Sequence, residues 1–215
     1  MTFSGWSSAA AEFFEGLEAD NSKAYWQAHK EVYTDAVLRP MEALLAELEP
    51  EFGGGKIFRP YRDVRFSADK TPYKTAIGAT LHGGGYVQFS ADGLAAGCGM
   101  YQMSPDQLER YRLAVAEDLT GEELFRLVGE ASQRGMRVHG HGVLKTAPRG
   151  FPKDHPRIEL LRYKGLITWQ EWPAAEWPDS PRAKDRVVEF LRDSEPLQAW
   201  LRKHVGPSQV AEGRR

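Results

Sequence analysis

The chain has 215 residues, 41% hydrophobic and 27% charged, with a formal net charge of −2. That balance gives enough apolar surface for a real core and argues against a protein that coats nucleic acid through bulk charge. A single cysteine, Cys98, excludes an internal disulfide and any zinc site built on several thiolates, and no run approaches the roughly 18 apolar residues of a membrane span.

Ser8 is the expected N-cap of a first helix with Phe13, Phe14 and Leu17 on its buried face. The start "MTFSGWSSAAAEFFEGLE" has no basic residues, and Glu12 and Glu15 break its apolar stretch, so it does not read as a signal peptide; a cytoplasmic location is expected. "EADNS" interrupts the helix, and Tyr25, Trp26, His29 and Tyr33 recur at helical spacing after it. A third helix follows through Leu44, Leu45 and Leu48, with Pro40 in its first turn and "FGGGK" at its end.

From Ile57 to Met103 the texture changes to short β-branched and aromatic runs punctuated by glycine, predicting strands at 57–66, 73–81, 86–90 and 94–101 joined as a β-meander. Helices resume at Ser104, where "SPDQ" offers a capping box with Gln107, and again at Thr120, paired with Glu123. Residues 136–145 read as a strand, 156–163 as a short helix and 166–172 as a strand. "SPRAKDRVVEFLRD" and "PLQAWLRKHV" read as two closing helices. The expectation is one α+β domain over residues 1–205, a central antiparallel sheet flanked by N-terminal, middle and C-terminal helices, followed by a disordered tail over 206–215.

Charge is unevenly spread. Residues 1–55 carry ten acidic and three basic side chains, whereas residues 56–74 and 145–165 each carry six basic and two acidic ones. The first basic segment contains "RPYRDVRFSADKTPYK", residues 59–74. Strand alternation there places Phe58, Arg62, Val64 and Phe66 on one face and Arg59, Tyr61, Asp63 and Arg65 on the other, so Arg62 is predicted to point inward and to need a carboxylate or a bound anion. Two readings follow. In one, Arg59, Arg62, Arg65, Lys70 and Lys74 form a site for a small phosphate- or carboxylate-bearing ligand, oriented by Asp63 and Asp69 and walled by Tyr61 and Tyr73. In the other, the aspartates and the acidic N-terminal helices pair with the arginines, and the motif is a structural clasp in a non-enzymatic interaction domain.

Small residues also line one face of two strands, Ala76 and Gly78, then Ala95, Gly97 and Gly99, which implies close approach by a helix or a ligand. The second basic segment carries Lys145, Arg149 and Lys153 in a proline-rich loop. Joined to the first, and with Trp169, Trp172 and Trp177, it would make a groove for single-stranded nucleic acid, the least favoured reading.

His139 and His141 in "VHGHGV" share one face of the expected strand but have no identifiable third ligand, so no metal site is assigned. Cys98 in "AGCGM" reads as a buried, inert thiol. "GGGK" at 53–56 lacks the phosphate-loop spacing, and no cofactor is implied. No reaction is assignable from these residues.

"YRDVRFSADKTPYKTAIGA" resembles the signature of a bacterial conserved-hypothetical family, domain of unknown function 2461, as do "FFEGLEADNSKAYWQAHKEVY", "GMYQMSPDQLERYR" and "LKTAPRGFPKDHP". Asp20-Asn21 stands where the family tends to show an asparagine pair, and Tyr25-Trp26 takes the place of its aromatic pair. The resemblance spans roughly residues 3–172 and implies a soluble bacterial protein made of one full-length domain. It brings no catalytic residue with it.

Overall fold

A computed structural model describes residues 2–65, 68–173 and 180–209. The fold is α+β, with six strands in one antiparallel sheet of order β1-β2-β3-β4-β6-β5. These are β1 Gly55–Ile57, β2 Ala76–Leu81, β3 Gly85–Ser90, β4 Gly93–Met100, β5 Arg137–His139 and β6 Leu166–Pro173. The chain divides into two compact units, one of residues 1–96 with 171–190 and the other of residues 97–170 with 191–215.

In the first unit α1 (Ser8–Ala19) buries Ala10, Phe13, Phe14 and Leu17, the three-and-four spacing of a single helical face. Its N-cap is Ser7 rather than Ser8. Ser22 caps α2 (Lys23–Ala28) by accepting the Tyr25 N–H at 3.1 Å. The expected second helix is then broken at His29 and continues as a short α3 (Lys30–Val32), a π-helical turn (Tyr33–Leu38) and α4 (Arg39–Phe52). Pro40 gives the reason: its ring would press on the carbonyl four residues back, and a wider turn just before it relieves that clash.

The strands β2 and β3 bury Ile77, Ala79, Leu81, Val87 and Phe89 on one face. Trp6, fully buried, stacks on Phe89 at 4.6 Å and donates its indole N–H to the Val37 carbonyl. Alternation leaves Ala76, Gly78, Thr80, Tyr86, Gln88 and Ser90 on the opposite face, with the register Gly78↔Gln88 and Thr80↔Tyr86. The meander β1-β2-β3-β4 is as expected, but the first strand ends at Ile57 instead of running to 66. Pro60 and Pro72 have no N–H to give to a ladder. Among the described residues between them the two arms keep only the Tyr61↔Tyr73 bridge, with the Arg62 N–H on the Pro72 carbonyl at 2.9 Å and the Lys74 N–H on the Pro60 carbonyl at 2.8 Å. For the same reason the return strand begins at Ala76, not Tyr73.

In the second unit α5 (Pro105–Ala116) starts with the expected capping box, the Ser104 N–H donating to Gln107 at 3.0 Å. Helix α6 (Asp118–Gln133) begins two residues before Thr120, because the Glu117 carboxylate takes the N–H groups of Leu119 and Thr120 and caps it there. Arg157, 8% exposed, donates to the carbonyls of Val115, Ala116 and Glu117 at 2.8, 3.1 and 3.3 Å, satisfying the end of α5. A short α7 (Ile158–Leu161) lies inside the expected 156–163. Strand β5 stops at His139, well short of 145; Gly140 lies under the Tyr163 ring, where any Cβ would stand 2.6 Å from it, and the chain turns at Gly142 with φ +66°.

The two closing helices are one, α8 (Arg182–His204), which runs through Pro196. The buried positions Val187, Phe190, Leu191, Ser194, Leu197 and Leu201 keep helical phase across the proline, so the apolar stripe outweighs one lost hydrogen bond. Of the tail, Ser208 and the Gln209 N–H donate to Asp106, and residues 210–215 lie outside the described residues.

Candidate functional site

The outward face of β2 and β3 carries an open depression of about 390 Å³ lined by Phe58, Arg62, Lys74, Thr75, Ala76, Gly78, Tyr86 and Gln88. Its floor is the small-residue stripe. A Cβ on Gly78 would stand 2.5 Å from the Tyr86 hydroxyl, so the glycine exists to let that ring lie diagonally across the sheet. The hydroxyl donates to Gln88 Oε1 at 2.8 Å and fixes the amide beside it. Gly97, in the second unit, does the same for the Trp169 ring. At both glycines the close neighbour is a cross-strand aromatic ring, neither the helix nor the ligand that the stripe suggested.

Of the predicted residues, the fold brings Arg62 and Lys74 to this depression. Arg62 is half-buried rather than in the core, and Phe58, on the same predicted face, is 39% exposed; without a ladder past Ile57 the alternation does not hold. The partner of Arg62 is local: Nη1 donates to Asp69 and, at 2.6 Å, to the Thr71 hydroxyl. Both bonds use one nitrogen, and among the described residues Nε and Nη2 meet no acceptor. Lys74 lies 5.2 Å above the centre of the Phe58 ring, a cation–π contact. Burial and the neighbouring Arg59 push its pKa down, and no carboxylate reaches it among the described residues.

The remaining predicted residues do other things. Arg65 is exposed and holds Asp63 in a bidentate pair at 2.9 and 2.6 Å. That bond, with the Arg65 N–H, lowers the Asp63 pKa to about 2. Asp69 is likewise lowered to about 2, first by the N–H and hydroxyl of Thr71 and then by Arg62. Lys70 donates to the Val64 carbonyl at 3.0 Å, Arg59 is exposed, and Phe66 lies outside the described residues. Tyr73 is buried: its ring stacks on Trp26 at 4.5 Å and 7°, and Tyr61 tilts against both. Asn21 completes this attachment, its amide accepting the Tyr73 N–H at 3.0 Å and donating to the Tyr73 carbonyl at 3.1 Å.

Sequence reasoning missed Phe58 as a wall and Thr75, Tyr86 and Gln88 altogether. The signal for the last two was present, since "GYVQFS" alternates and puts Tyr86 and Gln88 on the face opposite Val87 and Phe89.

Elsewhere, Cys98 is buried, and burial raises its thiol to about 12. Because β5 ends at His139, the strand pattern does not carry to His141, which packs on Tyr101 at 4.3 Å. Among the described residues no three His, Cys, Asp or Glu side chains converge to hold a metal ion. Lys145, Arg149 and Lys153 are exposed in the second unit. Trp169 packs over Gly97, Trp172 is buried against Phe190, and Trp177 lies outside the described residues. No helix among the described residues is long and apolar enough to cross a membrane.

A family model described as "Conserved hypothetical protein (DUF2461)" matches residues 9–200. The chain belongs to that family. No curated protein and no solved structure matches it.

Proposed function

We propose that this member of the family binds a small anion on the outward face of its sheet, with Lys74 and Arg62 as the binding cations. One observation carries the reading. Lys74 is half-buried, has no carboxylate partner among the described residues, and shares its depression with a guanidinium that still has two nitrogens to give. Holding a cation out of water without a counter-charge is costly, and a bound anion removes that cost. The lining mixes apolar groups with hydrogen-bond donors, as small-molecule sites do. The same proposal places the protein in the cytoplasm, on its single cysteine.

A second reading has its own support in the neighbouring residues. The Arg65–Asp63 pair, the Arg62–Asp69 pair and the Asn21 amide on Tyr73 hold the loop on itself and on the helices. On that reading the motif is a clasp throughout.

Thermal unfolding in the presence of small carboxylates and phosphates separates the two. Under the site reading, Tm rises with ligand in the wild type and not in Lys74→Met. Equal shifts in both proteins, or none in either, would leave the clasp.

A further inference from the structure

We infer that residues 206–209 are a releasable strap, locked onto α5 by the Asp106 carboxylate and opened by negative charge placed on Ser208. Both halves of the device lie in the second unit. Helix α8 ends at His204, and Gly206, at φ +65° with its N–H on the Leu201 carbonyl, turns the chain off the helix and onto the start of α5.

There, three side chains of α5 read the main chain. Arg110 donates to the Val205 carbonyl at 2.6 Å and to the Pro207 carbonyl at 2.8 Å. Gln107 donates to the Gly206 carbonyl at 2.8 Å, and Asp106 accepts the Gln209 N–H at 2.8 Å. Ser208 adds a side-chain contact, its hydroxyl donating to Asp106 at 3.0 Å. Val205 is buried in one cluster with Tyr111, Trp200 and Leu201, and it marks where the core ends. Beyond it Pro207, Ser208 and Gln209 are exposed, so polar contacts rather than apolar burial hold them. A segment held in that way opens locally, well below the free energy of global unfolding.

The lock is electrostatic. The Gln209 N–H, the hydroxyls of Ser104 and Ser208, and Arg110 at 3.1 Å hold the Asp106 carboxyl well below the usual carboxylate range. Its charge therefore always faces the Ser208 hydroxyl. Phosphorylation, which exchanges the hydroxyl proton for a phosphoryl group from a nucleoside triphosphate, would remove the donated hydrogen bond and set like charges in contact. Arg110 cannot compensate without giving up a bond, because its Nε, Nη1 and Nη2 already serve Val205, Asp106 and Pro207.

Amide hydrogen exchange of the full chain tests the inference, with Ser208→Glu as the charged variant and Ser208→Gln as its neutral counterpart of similar size. In the wild type the Gln209 amide should exchange roughly tenfold or more slowly than an unstructured amide. Ser208→Gln should keep most of that protection. Ser208→Glu should lose it, and Asp106→Asn should lose much of it, while the Tyr111 and Leu201 amides stay protected in Ser208→Glu. An unprotected Gln209 amide in the wild type would overturn the strap. Equal loss in the Glu and Gln variants would overturn the role of charge, and loss that spreads to Tyr111 and Leu201 would show that the segment belongs to the core and is not releasable.

Discussion

Asn21→Ala tests whether the loop that carries Arg62 and Lys74 is held from the helical side. Asn21 stands in the turn between α1 and α2 and makes the two hydrogen bonds that a neighbouring strand would make to Tyr73, at 3.0 and 3.1 Å. Tyr73 is only 4% exposed, so its N–H and carbonyl have little water to turn to when the amide is removed. Two lost bonds at about 1 kcal/mol each, plus partial desolvation of the orphaned groups, come to about 2–3 kcal/mol. For a chain of this size that is a fall in Tm of about 5–10 °C. The stacking of Tyr73 on Trp26 survives the substitution and holds the residue near its place, so the loss should be graded rather than total. Urea unfolding gives the energy, and hydrogen exchange over residues 58–75 gives the location. Asn21→Asp is the useful companion: it keeps the acceptor for the Tyr73 N–H, loses the donor to the carbonyl, and should fall between wild type and alanine. A loss under about 0.5 kcal/mol with unchanged exchange in the loop would refute the attachment.

Three further outcomes follow from the geometry. Arg157→Ala should cost about 3–5 kcal/mol in urea unfolding, because it orphans three carbonyls at the end of α5 and empties a buried site, and Arg157→Lys should recover only part of that. Cys98, buried and raised to about 12, should resist an aromatic disulfide reagent at pH 8 until the protein unfolds, when one thiol per chain reacts. Asp63 and Asp69 sit near 2 in the folded chain against an ordinary 3.8, so the stability they contribute is present above about pH 4 and is lost as pH falls toward 2. Acid titrations of stability should therefore be flatter between pH 4 and 2 for the Asp63→Asn, Asp69→Asn double variant than for wild type.

The helices and the meander were legible because their signals are local. The spacing of Phe13, Phe14 and Leu17, the Ser104 capping box and the "HGGG" turn each act within a few residues. The errors came where a local signal met a stronger constraint out of sequence range. Pro196 is a helix breaker by itself, but the stripe from Val187 to Leu201 stays in phase across it and α8 continues. Thr120 looked like a cap, but Glu117 offers two oxygens one turn earlier and takes the N–H groups first. The strand over 57–66 failed on evidence already in the sequence: Pro60 stands in it and Pro72 in the segment it would pair with, and each proline removes a rung.

That failed strand is also why the site was only half legible. Alternation through Arg62 predicts an inward charge, and once the ladder is lost at Ile57 the argument for its direction goes with it. What survives is the chemistry of the residue types. Arginine and lysine in one short loop, with one aspartate two positions from its arginine and the other seven away across the turn, sort themselves by reach: Asp63 is taken by Arg65 and Asp69 by Arg62, while Arg59, Lys70 and Lys74 have no carboxylate among the described residues, and of these three Lys74 is the one that is half-buried. No pattern in 59–74 says which of the cations without a carboxylate will be half-buried, because that depends on where the two prolines stop the pairing and on Tyr73 being drawn to Trp26 and Asn21. Gly78 completes the argument from the same face of the sheet. Gly78 is small because Tyr86 lies across it, and Tyr86 lies there with its hydroxyl on Gln88, so the residue that reads as a weakness in a strand is what gives the depression its flat wall and its ordered amide. The leftover lysine and the glycine under the ring come from separate parts of the sequence, and they meet in one depression.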